Sequence, residues 1–197
     1  MQGAILLLAA GSSSRMGKPK QLLPHKGRTL LWHAANAAKM AELGEVLIVT
    51  GELDVHIRMN LADLNISFVL NPNWAEGMAS SIVTGMNYLT NLQPVPDAVL
   101  IMVGDQPAVN EGLLKKLWLN WQESGKAIAA SSYAQQVGTP AVFAQSLFSE
   151  LLLLKGDTGA KKLIKKYQDQ VSLVPFPDGL LDIDTPQDYE QLKKSSE

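Results

Sequence analysis

Short runs of apolar residues alternate along the chain with longer segments in which apolar residues recur at helical spacing. The short runs predict buried strands at 4–8, 46–50, 66–70 and 98–103, because both faces of each run are apolar. The longer segments predict helices at 29–40, 52–62, 78–89 and 111–123. This alternation is typical of α/β proteins in which helices cover both faces of a mostly parallel sheet.

The pattern is less regular after Gly125 but continues to the end of the chain. It predicts strands at 127–131, 140–143 and 171–175, and helices at 145–154 and 159–167. A last amphipathic helix is expected after Thr185, with Thr185 as its N-cap and Pro186 at its first position. Because no repeat, low-complexity tract or linker divides the chain, we predict a single domain over residues 1–197 with a three-layer α/β/α, Rossmann-like architecture.

The composition excludes several classes of protein. With 197 residues, 46% of them hydrophobic, the chain can bury one ordinary core. It contains no apolar run close to the roughly 20 residues that cross a bilayer and no charged-then-apolar leader, so we expect a cytoplasmic protein without a membrane partner. The absence of cysteine excludes disulfides, thiolate metal sites and cysteine nucleophiles, and the three histidines lack the spacing of zinc ligands.

Charge is distributed unevenly along the chain. The net charge is −2, yet residues 1–41 contain six Lys or Arg and no Asp or Glu. A basic N-terminal region on a mildly acidic protein suits a small anionic ligand better than a nucleic acid, which usually meets broader Lys and Arg coverage. A solvated basic face is an equally compatible interpretation of the charge alone.

Unusual residues follow four of the predicted strands. They lie in segments 9–20, 51–52, 71–81 and 104–107. In an open parallel sheet, ligands bind beyond the carboxyl ends of the strands, and these ends meet at one edge. We therefore expect these segments to line a single cleft.

The segment after the first strand is rich in glycine, serine and basic residues. It is not a Walker A motif, because five residues separate Gly11 from Gly17 and Pro19 stands where a Ser or Thr would hold magnesium. The chain also lacks the G-x-G-x-x-G fingerprint of dinucleotide-binding folds. Backbone N–H groups of this loop can bind phosphate oxygens, with Arg15 and Lys20 supplying positive charge. The alternative is a basic surface turn.

Two acidic segments are candidate metal ligands. Asp105 ends the most hydrophobic predicted strand, where a carboxylate is costly to bury unless it is paired or binds a cation. Mg²⁺ is the natural cation opposite phosphates, although Gly-Asp-Gln-Pro is also a good turn sequence. In the second segment, Asp182 and Asp184 either return a further carboxylate to the same metal or cap the last helix.

The segment 71–81 forms a predicted turn that opens a helix. Glycine and small hydroxyl residues near a helix N-terminus offer hydrogen-bond donors and acceptors to a base or sugar. We therefore assign Gly77 and Ser81 to the candidate site. Trp74 in the same segment can either stack on a ring or pack at the edge of the core.

These segments together resemble a known family. Residues 8–17 (LAAGSSSRMG) with 19–23 (PKQLL) resemble the signature of nucleotidyltransferases that have the nucleotide-diphospho-sugar transferase fold. Further segments narrow the resemblance to molybdenum cofactor cytidylyltransferases: they are 71–81 (NPNWAEGMASS), 104–107 (GDQP), 138–143 (GTPAVF), 156–160 (GDTGA) and 182–186 (DIDTP). The segments occur in the family's order and spread over nearly the whole chain.

The resemblance implies which residues bind which ligand. CTP is expected at Ala9, Ala10, Gly11, Ser12, Ser13, Ser14, Arg15, Lys20, Gly77, Ser81 and Gly104. Arg15 would contact the phosphates, Lys20 would lie near the reacting α-phosphate, and Asp105 would bind Mg²⁺ together with Asp184. The related guanylyl-transferring family has Leu-Ala-Gly-Gly in its loop, so Ala10 favours cytosine. On this basis Arg15, Lys20 and Asp105 are the expected catalytic residues.

The implied reaction transfers CMP from CTP to the terminal phosphate of molybdopterin and releases pyrophosphate. Because the attacking phosphate is already an anion, the reaction needs positioning and charge neutralisation but no general base. An apo-molybdoenzyme of the xanthine dehydrogenase type is the implied recipient of the product. Two alternatives remain: a nucleotidyltransferase for another nucleotide or acceptor, such as guanylyl transfer or a sugar phosphate, and a non-catalytic protein that delivers the cofactor.

Overall fold

A computed structural model describes residues 2–11, 19–134, 136–180, 182–183 and 185–194 of the chain. Its strands are β1 (Gly3–Leu8), β2 (Pro24–His25), β3 (Arg28–Thr29), β4 (Gly44–Thr50), β5 (Ser67–Leu70), β6 (Ala98–Val103), β7 (Ile128–Tyr133), β8 (Gln136–Ala144) and β9 (Val171–Pro175). Its helices are α1 (Leu30–Ala41), α2 (Asp54–Asn60), α3 (Met78–Thr90), α4 (Glu111–Ser124), α5 (Phe148–Leu152), α6 (Lys161–Lys166) and α7 (Pro186–Lys194).

Seven of the strands form one sheet in the order β5-β4-β1-β6-β8-β7-β9. The first four strands in this order are parallel, and β7 and β9 are also parallel. Only β8 runs against its two neighbours within the described sheet. The prediction of a mostly parallel sheet is therefore confirmed.

Helices cover both faces of this sheet, as the continuous apolar strands predict. Side chains alternate between the faces, so that Ile5 points to one layer of helices and Leu6 to the other. The first layer consists of α1, α2 and α4, and the second consists of α3, α5 and α6. The result is the predicted three-layer α/β/α arrangement.

Several predicted elements differ in extent from those in the structure. The predicted helix at 52–62 is α2 followed by a short 3₁₀ turn at Ala62–Leu64, and the predicted helix at 145–154 begins as a 3₁₀ turn before α5. The small hairpin of β2 and β3 was not predicted. Two-residue strands are too short to show a hydrophobic period, which explains this omission.

The last helix packs against the segment that follows the glycine and serine loop. Leu192 of α7 and Ile183 form a small apolar cluster with Leu23 and Leu30. The Thr185 hydroxyl accepts a hydrogen bond from the backbone N–H of Asp188 at 3.3 Å, and the Asp188 carboxylate accepts one from the backbone N–H of Thr185 at 2.7 Å. This reciprocal pair confirms Thr185 as the cap of the final helix.

No helix within the described ranges combines the length and the apolar composition needed to cross a membrane.

The parallel strands bring their carboxyl ends to one edge of the sheet. The backbone ladder continues just beyond these ends: Ala9 N–H donates to the Val49 carbonyl, and Asn71 N–H donates to the Thr50 carbonyl, both at 2.9 Å. The segments that follow β1, β4, β5 and β6 therefore start side by side. This edge carries the candidate site.

Candidate active site

A cleft of about 490 Å³ opens at this edge of the sheet. It is lined by Leu8, Ala10, Gly11, Lys20, Gln21, Trp74, Ala75, Gly77, Met78, Ser81, Val103, Gly104, Asp105 and Asp157. Three of the four segments that sequence analysis expected at a common cleft contribute to this lining, and the segment at 51–52 does not. Asp157 joins them from the loop between α5 and α6.

Lys20 and Asp105 form an ion pair inside the cleft. The Lys20 Nζ atom lies 2.5 Å from Asp105 Oδ2, and the two side chains are only 18% and 19% exposed. Lys20 opens a short 3₁₀ turn after the glycine and serine loop, whereas Asp105 follows β6 through Gly104. The structure therefore brings together two of the three residues expected to be catalytic.

The second carboxylate oxygen of Asp105 lacks a partner among the described residues. Its Oδ1 atom is buried and accepts no hydrogen bond there. A buried carboxylate oxygen without a donor is costly, and a divalent cation is one group that satisfies it. Asp105 is thus suited to hold a divalent metal by one oxygen while Lys20 contacts the other.

No third acidic or histidine side chain completes a metal cluster in the part of the chain that the structure describes. Asp184, the other expected metal ligand, lies outside the described residues. Asp182 accepts a hydrogen bond at 3.0 Å from the side-chain Nε2 of Gln106. Because Thr185 caps α7, Asp182 is not the cap of that helix.

The segment around Asp182 is held against the strand end that carries Asp105. The backbone N–H of Ile183 donates to the Asp105 carbonyl at 3.0 Å. Nearby, burial and the negative charges of Asp182 and Asp105 raise the pKa of the Tyr133 phenol, although Gln106 opposes them. The carboxylates of Asp105 and Asp182 therefore both influence the Tyr133 phenol on this side of the cleft.

The start of the glycine and serine loop is fixed by a side chain that sequence analysis did not single out. Gln21 is 4% exposed, and its Nε2 donates to the Gly11 carbonyl at 2.6 Å and to the Ala9 carbonyl at 3.4 Å. Ala9 and Ala10 are buried, and Ala10 and Gly11 line the cleft. Ser12, Ser13, Ser14 and Arg15 lie outside the described residues.

The segment after β5 forms the opposite wall. Gly77 has a φ of +104°, and a Cβ atom there would lie 2.4 Å from Asp157 Oδ1. Only glycine permits this backbone and this close approach. Ser81 follows in the first turn of α3 and is 5% exposed. Gly77 and Ser81 both line the cleft, as does Gly104.

Trp74 lines the cleft, which is one of the two placements left open for it, whereas Asp157 was not expected there. The Trp74 side chain is half-buried at the cleft wall. Asp157 belongs to the segment 156–160, which carried part of the resemblance, but nothing in its local sequence indicates that the loop reaches Gly77. The contact depends on a backbone hydrogen bond of 3.1 Å from Ala79 N–H to the Gly156 carbonyl.

Comparisons with known proteins show which family the chain resembles. Residues 5–171 match the family described as the MobA-like NTP transferase domain. The chain is 30% identical to nicotine blue oxidoreductase of Paenarthrobacter nicotinovorans, over 88% of this chain and 86% of that protein. It is 28% identical to purine catabolism protein PucB of Bacillus subtilis strain 168, over 96% and 95% of the two chains.

A solved structure shows the same fold over nearly the whole length. Rv0371c from Mycobacterium tuberculosis H37Rv superposes with a TM-score of 0.82 at 28% identity, covering 98% of this chain and 97% of that one. A second structure of Rv0371c, in complex with manganese, superposes with a TM-score of 0.79 at 28% identity over 98% of both chains.

The fold and the family match define an enzyme of the nucleotidyltransferase class. Within this class, the chain belongs to the family of the MobA-like NTP transferase domain.

Proposed function

We propose that this protein transfers CMP from CTP to the terminal phosphate of molybdopterin, with release of pyrophosphate. The observation that supports it most is the Lys20–Asp105 pair, which places a cation and a carboxylate with a free buried oxygen in one cleft with Ala10 and Gly11. A phosphate-binding cation beside a metal-binding carboxylate is what phosphoryl transfer needs.

The two walls of the cleft suggest how CTP lies in it. The phosphates would lie beside Ala9, Ala10 and Gly11, next to Lys20, with Arg15 as a further phosphate contact. The cytidine would lie against the wall of Gly77 and Ser81, with Gly104 forming the floor between them. This arrangement puts the α-phosphate near Lys20 and Asp105.

The residues of the chain act by positioning and by neutralising charge. The Lys20 ammonium would leave Asp105 Oδ2 and donate to the α-phosphate, where negative charge increases during attack. Asp105 would hold the divalent metal, which supplies further neutralisation of the triphosphate when bound. Because the molybdopterin phosphate is an anion at neutral pH, no residue has to remove a proton from it.

We expect Mg²⁺ to be the working metal, with Asp184 as a second ligand. The manganese complex of Rv0371c supports a divalent cation in this fold. One or two carboxylates together with substrate phosphates are the usual surroundings of Mg²⁺. The expected recipient of the product is an apo-molybdoenzyme of the xanthine dehydrogenase type.

The test is a pyrophosphate-release assay with Mg²⁺ and molybdopterin, run with CTP, GTP, ATP and UTP in turn. We expect release with CTP, and mass analysis of the product should show the cytosine dinucleotide. The Lys20→Ala variant, assayed in parallel, shows whether pyrophosphate release depends on this cleft. A preference for GTP would favour guanylyl transfer instead. A parallel reaction contains a sugar phosphate in place of molybdopterin, and pyrophosphate release in that reaction alone would favour a different acceptor.

A further inference from the structure

Asn71 is a buried polar side chain directly behind the wall of the cleft. It follows β5, is 1% exposed and makes three hydrogen bonds through its side chain. Its Nδ2 atom donates to the hydroxyl oxygens of Ser80 at 2.8 Å and of Ser81 at 3.0 Å. Its Oδ1 atom accepts from the backbone N–H of Asn73 at 2.9 Å.

The last of these hydrogen bonds fixes which way the amide faces. The backbone N–H of Asn73 can only donate, so the atom it meets must be the Asn71 oxygen. The amide nitrogen therefore faces the two serines, and both serine oxygens act as acceptors toward it. The orientation follows from the network rather than from the shape of the side chain.

The two serine hydroxyls use their protons differently. Two backbone carbonyl oxygens lie within hydrogen-bond distance of Ser80 Oγ: that of Asn73 at 2.9 Å and that of Gly77 at 2.8 Å. For Ser81 Oγ, the bond from Asn71 is its one hydrogen bond to the described residues. Because that bond occupies an acceptor position, the Ser81 O–H remains available as a donor. Ser81 lines the cleft that also contains Lys20 and Asp105.

We propose that Asn71 is a positioning residue that sets the Ser81 hydroxyl as a hydrogen-bond donor to an acceptor atom of the bound nucleotide. Asn71 itself does not line the cleft and acts through Ser81. The proposal rests on the proposed function, because it assumes that a nucleotide occupies this cleft. It adds a residue and a direction: the Ser81 hydroxyl donates a hydrogen bond to the nucleotide and does not accept one from it.

The variant Asn71→Asp tests this direction, because it keeps the shape of the side chain and replaces the donor by an acceptor. The carboxylate would accept a hydrogen bond from the Ser81 hydroxyl, and the donor to the nucleotide would be lost. We expect the KM for CTP with Mg²⁺, and the Kd measured by calorimetry, to rise about tenfold, the scale of one hydrogen bond. We expect kcat to change far less.

Ser81→Ala should give a similar rise in KM and Kd. The double variant Asn71→Asp, Ser81→Ala should then show little further loss, because both changes remove the same donor. Ser80→Ala is the matched control: it removes the other hydroxyl that Asn71 contacts, and we expect the Kd for CTP to stay near that of the unchanged protein. Thermal unfolding of each variant separates loss of stability from loss of binding.

Four outcomes would overturn the proposal. They are a folded Asn71→Asp protein that binds CTP normally, a Ser81→Ala protein that binds CTP normally, a double variant whose losses add, and a Ser80→Ala protein that loses as much affinity as Ser81→Ala. Where Asn71→Asp does not fold, a normal Kd for CTP in Ser81→Ala still contradicts the proposal. Failure of the proposed function looks different, because the unchanged protein would then neither bind CTP with Mg²⁺ nor release pyrophosphate from it.

Discussion

Lys20 and Asp105 lie 85 residues apart in the sequence, yet their side chains meet at 2.5 Å in the cleft. They meet because β1 and β6 are neighbours in the sheet, so the segments after these strands start side by side. Within this ion pair, each charge partly balances the other. A bound triphosphate would compete with Asp105 for the ammonium group and free the carboxylate for a metal.

Replacing Lys20 by alanine should lower the rate of pyrophosphate release by about 10²–10³-fold, the loss seen when one transition-state donor is removed. Under the proposed function, this change removes the positive charge next to the reacting phosphate. Steady-state kinetics with CTP and molybdopterin measure the effect. Lys26→Ala, in the exposed turn of the β2–β3 hairpin, is the control and should retain the full rate. A normal rate for Lys20→Ala would show that its assigned role is wrong.

Asp105→Asn should raise the concentration of Mg²⁺ needed for half-maximal activity and lower the maximal rate. The amide keeps the shape of the side chain but lacks the negative charge that attracts the cation. A Mg²⁺ titration of activity measures the shift. Asp63→Asn is the control, because Asp63 pairs with Arg28 on the surface at 2.8 Å. Equal Mg²⁺ dependence in Asp105→Asn and the unchanged protein would contradict metal binding at Asp105.

Gly77→Ala should destabilise the protein and impair nucleotide binding. The backbone at Gly77, with φ +104° and ψ 177°, is a region open essentially to glycine alone, and the added Cβ would overlap Asp157. We expect the free energy of unfolding to fall by about 3 kcal/mol or more. Gly125→Ala is the matched control: φ is +64° there, but the site is open, so the cost should be about 1 kcal/mol. Denaturant unfolding measures the loss of unfolding free energy in each variant. Equal losses would show that the close approach of the added Cβ to Asp157 does not destabilise Gly77→Ala.

Stability at acidic pH should depend on Asp54. Burial raises the pKa of Asp54, but hydrogen bonds from the Thr50 hydroxyl and the Arg58 guanidinium bring it below its usual 3.8. A lowered pKa in the folded state means that the ionised carboxylate stabilises the protein above the unfolded pKa and that this contribution is lost as the pH falls through the folded pKa.

The measurement compares Asp54→Asn with the unchanged protein by denaturant unfolding at several pH values. The difference in the free energy of unfolding should be largest near neutral pH and should shrink below about pH 3.8 as Asp54 becomes protonated. A difference that stays constant over this range would show that the charge of Asp54 contributes nothing to stability.

The sequence predicted the limits of two strands correctly. They are the buried strand at 98–103 and the edge strand at 171–175, which is only partly buried. The direction of β8 could not be predicted, because a run of apolar residues looks the same in parallel and antiparallel pairing. The hairpin at 24–29 was missed for a related reason: its strands are too short to show a period, although Lys26 and Gly27 form its turn with positive φ.

The site was predictable where a residue type is unusual for its position. A carboxylate at the end of an apolar strand led to Asp105. The basic residues of the glycine and serine segment, together with the family resemblance, led to Lys20. Gln21 and Asn71 were not recognised, because their roles depend on carbonyl and hydroxyl groups that only the folded chain brings within 3.5 Å. Asp157 was missed for the same reason, because tertiary contacts determine the position of the loop that brings it to the cleft.

The packing of α7 affects the order in which contacts of the fold can form while the chain is synthesised on the ribosome. The Tyr189 hydroxyl donates to the Pro24 carbonyl at 2.5 Å across 165 residues, and Ile183 bonds to the backbone of Asp105. A nascent chain can form most of the central sheet before these contacts exist. The contacts of Pro24 and of the Asp105 backbone are therefore complete only after residues 183–189 have left the exit tunnel, later than most strands of the sheet.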